Sequence, residues 1–402
     1  MAIGALDGIV VLDLGTDIPG PYCAKMLADY GAEVIKIEDP AGGDPARRAG
    51  PFPGDIPHPE KSGLFLHLNT NKRSVTLNLK TATGRDIFLD LVKRANVVIE
   101  NGLPGAMDNI GLGWEDLAEV NPKLVMTSIT PFGQEGPYRD YAAEEITVFA
   151  MTSRMYTHGQ PDREPLRFAP DIAWFQVGQT AALATMGAIM AQERFGIGQR
   201  VDISALEALV GNVDARTIFY TISGQEPLPR SQTRQTVSSA AGVLPCLDGY
   251  VLLIAGGERF FRRLLRAIGH PELAQDPRFA TPAARAEHRD DFDAIFLPWI
   301  LERTRREIFQ QLQAYSVMCA PIMTVDEAFT DPQEVARDFF VEIDHPAAGR
   351  LLYPGAPFIM DETPWSVRRP APLLGEHNEQ VLCGELGLSK QELLALASQG
   401  II

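Results

Sequence analysis

The N-terminal half predicts an α/β fold wound on both sides of a parallel sheet. Three features say so: short β-branched runs, helical stretches between them, and Gly or Pro where a strand hands over to a helix. Ile9 to Leu14 is the first strand, the punctuated loop Gly15 to Pro21 follows it, and Tyr22 to Tyr30 reads as a helix. Val34, Ile35 and Ile37 make the second strand, completing a βαβ unit with parallel strands. Further strands are expected at Ser74 to Leu79, Val97 to Ile99 and Leu124 to Ile129, with helices at Gly84 to Lys93 and Trp114 to Val120. The first loop does not spell GxGxxG, which argues against a nicotinamide cofactor; Gly20 and Pro21 read instead as a backbone device that starts the helix.

The middle of the chain differs in kind. Asp171 to Arg194 predicts one long alanine-rich helix, broken by Gly196 and Gly198, with Val201 to Ile203 leading to another helix through Leu206 and Val210. From about residue 225 to 330 a Ser- and Thr-rich loop, a hairpin over Leu244 to Ile254 and charged helices at Phe260 to Ile268 and Arg303 to Tyr315 predict a smaller second domain. Strands at Val341 to Ile343 and Leu351 to Tyr353, then helical segments at Asn378 to Leu386 and Lys390 to Ala397, close the chain. The division expected is a large domain over 1–220 and 335–402, and a small domain with its linkers over 221–334.

Composition bounds the function. With 402 residues, 45% of them hydrophobic, two domains are the default. A net charge of −16 argues against a nucleic-acid or anionic-membrane surface, while leaving room for a local cationic site for an anionic ligand. Cys23, Cys246, Cys319 and Cys383 are scattered without metal-ligand spacing and read as thiols of a reducing compartment. The start has no basic leader before an apolar run, and the apolar stretch Thr180 to Met190 is too short to span a bilayer, so a cytoplasmic protein without metal is expected.

Seven motifs in order carry a resemblance: GIVVLDLGTDIPGP, GAEVIKIEDPAGGD, NTNKRSVTLNLKT, VVIENGLPGAMDNIGL, NPKLVMTSITPFGQEGPY, GIGQRVDIS and PAPLLGEHNEQVL. Together they resemble the class III coenzyme A transferases, the formyl-CoA transferase and carnitine CoA-transferase-like family. The resemblance implies a Rossmann-like large domain built from both termini, a smaller α+β domain, and ring-shaped chains interlocked as a dimer. It implies coenzyme A or an acyl-CoA as substrate.

For this ligand, Lys72 and Arg73 at the head of a strand are suited to phosphate oxygens, the plainer reading being a solvated basic turn. Asn101, Gly102 and Ala106, with Pro104 and Gly105, match the family's nucleotide-side loop, or form an ordinary strand-to-helix turn. Asp39 and Asn109 depart from the family at positions facing the nucleotide, which weakens the expected binding.

The family's nucleophilic aspartate lies four residues before one glycine and twenty-two before another. Counted back from Gly178 and Gly196, both offsets reach Trp174. An indole forms no acyl anhydride, so no catalytic nucleophile is expected in this chain, and Trp174 reads as a plug in the acyl site or as a packing residue. Asp171 is the nearest carboxylate; it reads as a helix N-cap, or as a displaced nucleophile. Glu144 and Glu145 are candidates near the reacting groups, and the glycine loop after the Tyr250 strand is cut to Ala255, Gly256 and Gly257.

The leading expectation is therefore one subunit of a heteromeric transferase that moves CoA from a donor such as succinyl-CoA to an organic acid, aromatic acids included. A homologous catalytic subunit would supply the aspartate in an interlocked heterodimer, as the resemblance to the succinyl-CoA:(R)-benzylsuccinate transferases implies. An acyl-CoA racemase or lyase and a non-catalytic CoA-binding protein are the alternatives.

Overall fold

A computed structural model describes residues 4–159, 163–211, 216–225 and 240–402; the predicted Ser- and Thr-rich loop lies largely outside them. Contacts divide the chain into two units, one of residues 1–155, 167–221 and 336–402, the other of 156–166 and 222–335.

The first unit is built on six parallel strands: β1 (Val10–Asp13), β2 (Glu33–Glu38), β3 (Lys72–Thr76), β4 (Val97–Glu100), β5 (Val125–Thr130) and β6 (Gln199–Ser204), in the order β3-β2-β1-β4-β5-β6. Side chains alternate between its two faces, as the pleat requires. Val11, Val34, Val97 and Val125 meet α1 (Pro19–Asp29) and α6 (Ile172–Phe195) on one face. Leu12, Ile35, Val98 and Met126 meet α3 (Ala82–Val92) and α4 (Trp114–Val120) on the other. The doubly wound sheet expected from the sequence is thus present. Two short helices, α2 (Gly63–Leu68) and α5 (Glu145–Met151), were not anticipated, while α7 (Ala205–Gly211) matches the helix expected through Leu206 and Val210.

The C-terminal segment joins this unit without adding a strand to the sheet. His377 N donates to Ser74 O at 2.9 Å and Asn78 N to Ile401 O at 2.8 Å, while Val381, Leu382 and Leu396 enter the core of the second face. The helix expected at Asn378 to Leu386 is reduced to one wide turn, Glu379–Cys383, whereas Lys390–Ser398 is helical.

In the second unit β7 (Ala241–Cys246) and β8 (Gly249–Ile254) form the predicted hairpin, and β9 (Met318–Pro321), absent from the sequence reading, adds an antiparallel third strand. Its core is aromatic, with Phe261, Phe279, Phe292 and Phe296 all buried.

Candidate active site

Strand order reverses between β1 and β4, so the crevice at their carboxyl ends is where an open α/β sheet takes ligand. Asn101, just after β4, closes that crevice onto the loop after β1: its Oδ1 accepts from Thr16 N at 2.7 Å and its Nδ2 donates to Thr16 O at 3.0 Å. A Cβ on Gly20 would sit 2.8 Å from Asn101 Oδ1, which fixes glycine at the start of α1. Gly102 N donates to Glu100 Oε2 at 2.8 Å, and burial raises the Glu100 carboxyl above the usual range. Ala106 N bonds back to Leu103 O at 2.9 Å, so Asn101, Gly102 and Ala106 share one compact loop beside the crevice.

Lys72 and Arg73 are turned into the protein. They open β3, at the amino end of the sheet, and both are buried. Lys72 Nζ donates to Asp13 Oδ2 at 2.8 Å, Pro21 O at 2.8 Å and Asn69 Oδ1 at 2.9 Å. Arg73 is paired with Glu33 at 2.5 Å and with Glu385. Neither reading of this pair, phosphate site or solvated turn, describes these contacts: each cation is spent on protein carboxylates. The sequence analysis also passed over Asp13, Lys36 and Asp44. Lys36 Nζ reaches Asp44 at 2.8 Å and Gly15 O at 2.8 Å, and Asp44 Oδ1 accepts from Asp17 N at 3.0 Å. These buried charges hold the loop after β1 from below. Charged residues inside the otherwise apolar runs VVLD and EVIKIE were the available signal.

The long helix supplies the other wall. A Cβ on Gly178 would lie 2.9 Å from Pro19 O and 3.1 Å from the Tyr22 ring, so α6 crosses α1 at backbone contact. One turn earlier Trp174 is half-buried and packs on the α1–α6 core. Phe175 meets Tyr22 edge-on at 4.9 Å between ring centroids, and His67 stacks on Tyr22 at 6.4 Å. Burial lowers the His67 pKa to about 4.

Asp171 occupies the N-cap position but is exposed, has a left-handed backbone (φ 67°) and makes no capping bond. The expected cap comes instead from Glu145, whose buried Oε1 accepts from Ala173 N at 3.4 Å. Glu144 is exposed at the start of α5. Carboxylates therefore flank the first turn of α6, while the position counted from the glycines presents an indole.

Among the described residues no group of His, Cys, Asp and Glu is placed to hold a metal, and no helix is long and apolar enough to cross a membrane.

A doubly wound sheet with a crevice at its switch point defines a class of ligand-binding α/β proteins. The chain belongs to CoA-transferase family III, whose model matches residues 6–378. It is 34% identical to a succinyl-CoA–D-citramalate CoA-transferase of Chloroflexus aurantiacus, covering 99% of this chain and 98% of the relative. It is 31% identical to the succinyl-CoA:(R)-benzylsuccinate CoA-transferase subunit BbsE of Thauera aromatica, covering 96% of each. A solved CAIB/BAIF family protein from Brucella suis superposes with a TM-score of 0.85 at 30% identity, over 96% of this chain and all of that one. CoA transfer is thus the chemistry of the family and its relatives.

Proposed function

We propose that this chain is the non-nucleophilic subunit of a heteromeric CoA-transferase, working with a homologous chain that carries the aspartate. Trp174 carries the reading. It stands in the first turns of α6, four residues before the glycine that locks this helix onto α1, where a carboxylate would have to meet the thioester. The rings of Tyr22, His67 and Phe175 pack together near the start of α6 and bring no carboxylate to replace it. The relative BbsE is itself named as a subunit, which supports a division of labour.

In the partner, the aspartate would attack the donor acyl-CoA and release CoA thiolate, leaving a mixed anhydride. The thiolate would attack the aspartyl carbonyl to give an aspartyl-CoA thioester and the free donor acid. The acceptor carboxylate would attack the aspartyl thioester, expelling CoA thiolate and forming a second anhydride, and the thiolate would then attack the acceptor carbonyl to give acceptor-CoA and the free aspartate. Succinyl-CoA as donor and an aromatic dicarboxylate such as (R)-benzylsuccinate as acceptor are the pair to assay first, for an interlocked pair of chains in the cytoplasm.

The test is co-expression with a homologue bearing aspartate at the Trp174 position. A 1:1 complex by native mass measurement, active where the isolated chain is not, is expected. Full activity of the isolated chain, with a hydroxylamine-sensitive acyl adduct on Asp171 or Glu145, would overturn the proposal.

A further inference from the structure

The sheet ends at β3, which pairs with β2 on one side and turns the backbone groups of its other side outward. The stretch 369–378 covers that edge, and it does so largely with side chains. Ser74 N donates to His377 Nδ1 at 3.2 Å and Thr76 N to Asn378 Oδ1 at 2.9 Å, while His377 N donates to Ser74 O at 2.9 Å. Gly375, with a left-handed backbone (φ 65°), lets the stretch lie this close, since a Cβ there would sit 3.2 Å from Thr76 Oγ1.

A second imidazole pins the same stretch. In the hairpin of β10 (Phe340–His345) and β11 (Gly349–Pro354) His345 is buried. Its Nδ1 accepts from Ala347 N and Ala348 N, both at 3.1 Å, and its Nε2 donates to Ala371 O at 3.0 Å. These bonds fix the state of both rings: an Nδ1 that accepts an amide N–H carries no proton, so each ring is neutral with its hydrogen on Nε2. A proton added at either Nδ1 would aim one N–H at another. The charged neighbours do not favour the cation enough to offset this. Glu376 and Glu33 face His377, opposed by Arg369 and Arg73, and Glu60 and Glu376 face His345, opposed by Arg47. Glu33 is itself paired with Arg73, and Glu60 with Arg47. Burial is the larger effect and holds both rings below the usual imidazole range.

We propose that His377 and His345 are a proton-operated clasp: neutral, they fasten the stretch 369–378 over the edge of the sheet, and protonated at Nδ1 they release it. Release offers the Ser74 and Thr76 N–H groups to water while β3 stays paired with β2. An imidazole freed from the clasp takes up its proton near the ordinary value of roughly 6.5, so the clasp is firm above that pH and loosens as the pH falls below it.

Hydrogen exchange of the full chain at pH 7.5 and 5.5, corrected for intrinsic rates and followed on peptides over 72–78 and 345–350, tests it. Both peptides should exchange roughly fivefold faster or more at pH 5.5, the worth of one hydrogen bond. His377→Asn puts an amide oxygen, which takes no proton, near the place of Nδ1; it should remove the acceleration over 72–78 and leave that over 345–350. Asn378→Ala deletes a neighbouring bond that does not titrate and should speed exchange over 72–78 equally at both pH values. His67→Phe should leave the acceleration over 72–78 in place. No acceleration in the wild-type chain would overturn the clasp, as would an acceleration over 72–78 that survives in His377→Asn or vanishes in His67→Phe.

Discussion

Lys72 separates two accounts of the Lys72–Arg73 pair, because a ligand-binding lysine and a core lysine fail differently. In Lys72→Met the volume is nearly kept, yet three hydrogen bonds of 2.8–2.9 Å are lost together. Asp13, fully buried, keeps only its bond from Gly15 N at 2.9 Å and the more distant Lys36 at 3.8 Å. Pro21 O and Asn69 Oδ1 lose a donor as well. Removing one member of a buried ion pair costs about 3–5 kcal/mol, and stranding further acceptors places this substitution toward the upper part of that range. About 4 kcal/mol is close to a thousandfold in the unfolding equilibrium. Because the chain has two units, the assay should be local: denaturant unfolding combined with hydrogen exchange of the β1–β3 amides, which report on the first unit. Large loss of protection there is expected. An unchanged midpoint together with weakened CoA binding would refute the argument and return Lys72 to the ligand.

Three further outcomes follow from the same geometry. Glu145→Ala should destabilise the first unit by about 1–2 kcal/mol, because α6 loses its cap and a charge favourable to its dipole, and Glu145→Gln by less; equal effects in urea titrations would show that the charge does not matter. His67, with a pKa lowered to about 4, takes up its proton more readily when unfolded, so stability should be steady above pH 6.5 and fall as pH drops from there toward 4. Partial exposure keeps the loss to on the order of 2 kcal/mol, and His67→Phe should flatten that part of the profile. Arg285, fully buried, donates to Gly256 O at 3.1 Å and Phe279 O at 2.9 Å while its guanidinium lies over the Phe261 ring, so Arg285→Met should cost the second unit about 2–4 kcal/mol in a proteolysis or exchange measurement and loosen the turn at Ala255 to Gly257; an unaltered exchange pattern would count against that anchoring role.

The alternation of apolar runs with amphipathic stretches was enough by itself to determine the doubly wound sheet, because strand and helix periods are local properties and parallel strands need helical crossovers. The two glycine offsets reaching Trp174 were equally legible, since spacing along one helix survives without knowledge of anything packed against it. Partnership was not legible. Both contacts, Asn101 clasping Thr16 and Glu145 rather than Asp171 capping α6, join residues distant in sequence, and only the packed sheet brings them together. The same holds for Lys72 and Arg73: a basic pair looks alike in sequence whether it meets phosphate or protein carboxylates. The difference was decided by Asp13, Glu33 and Glu385, which converge on the pair from neighbouring strands and from the far end of the chain.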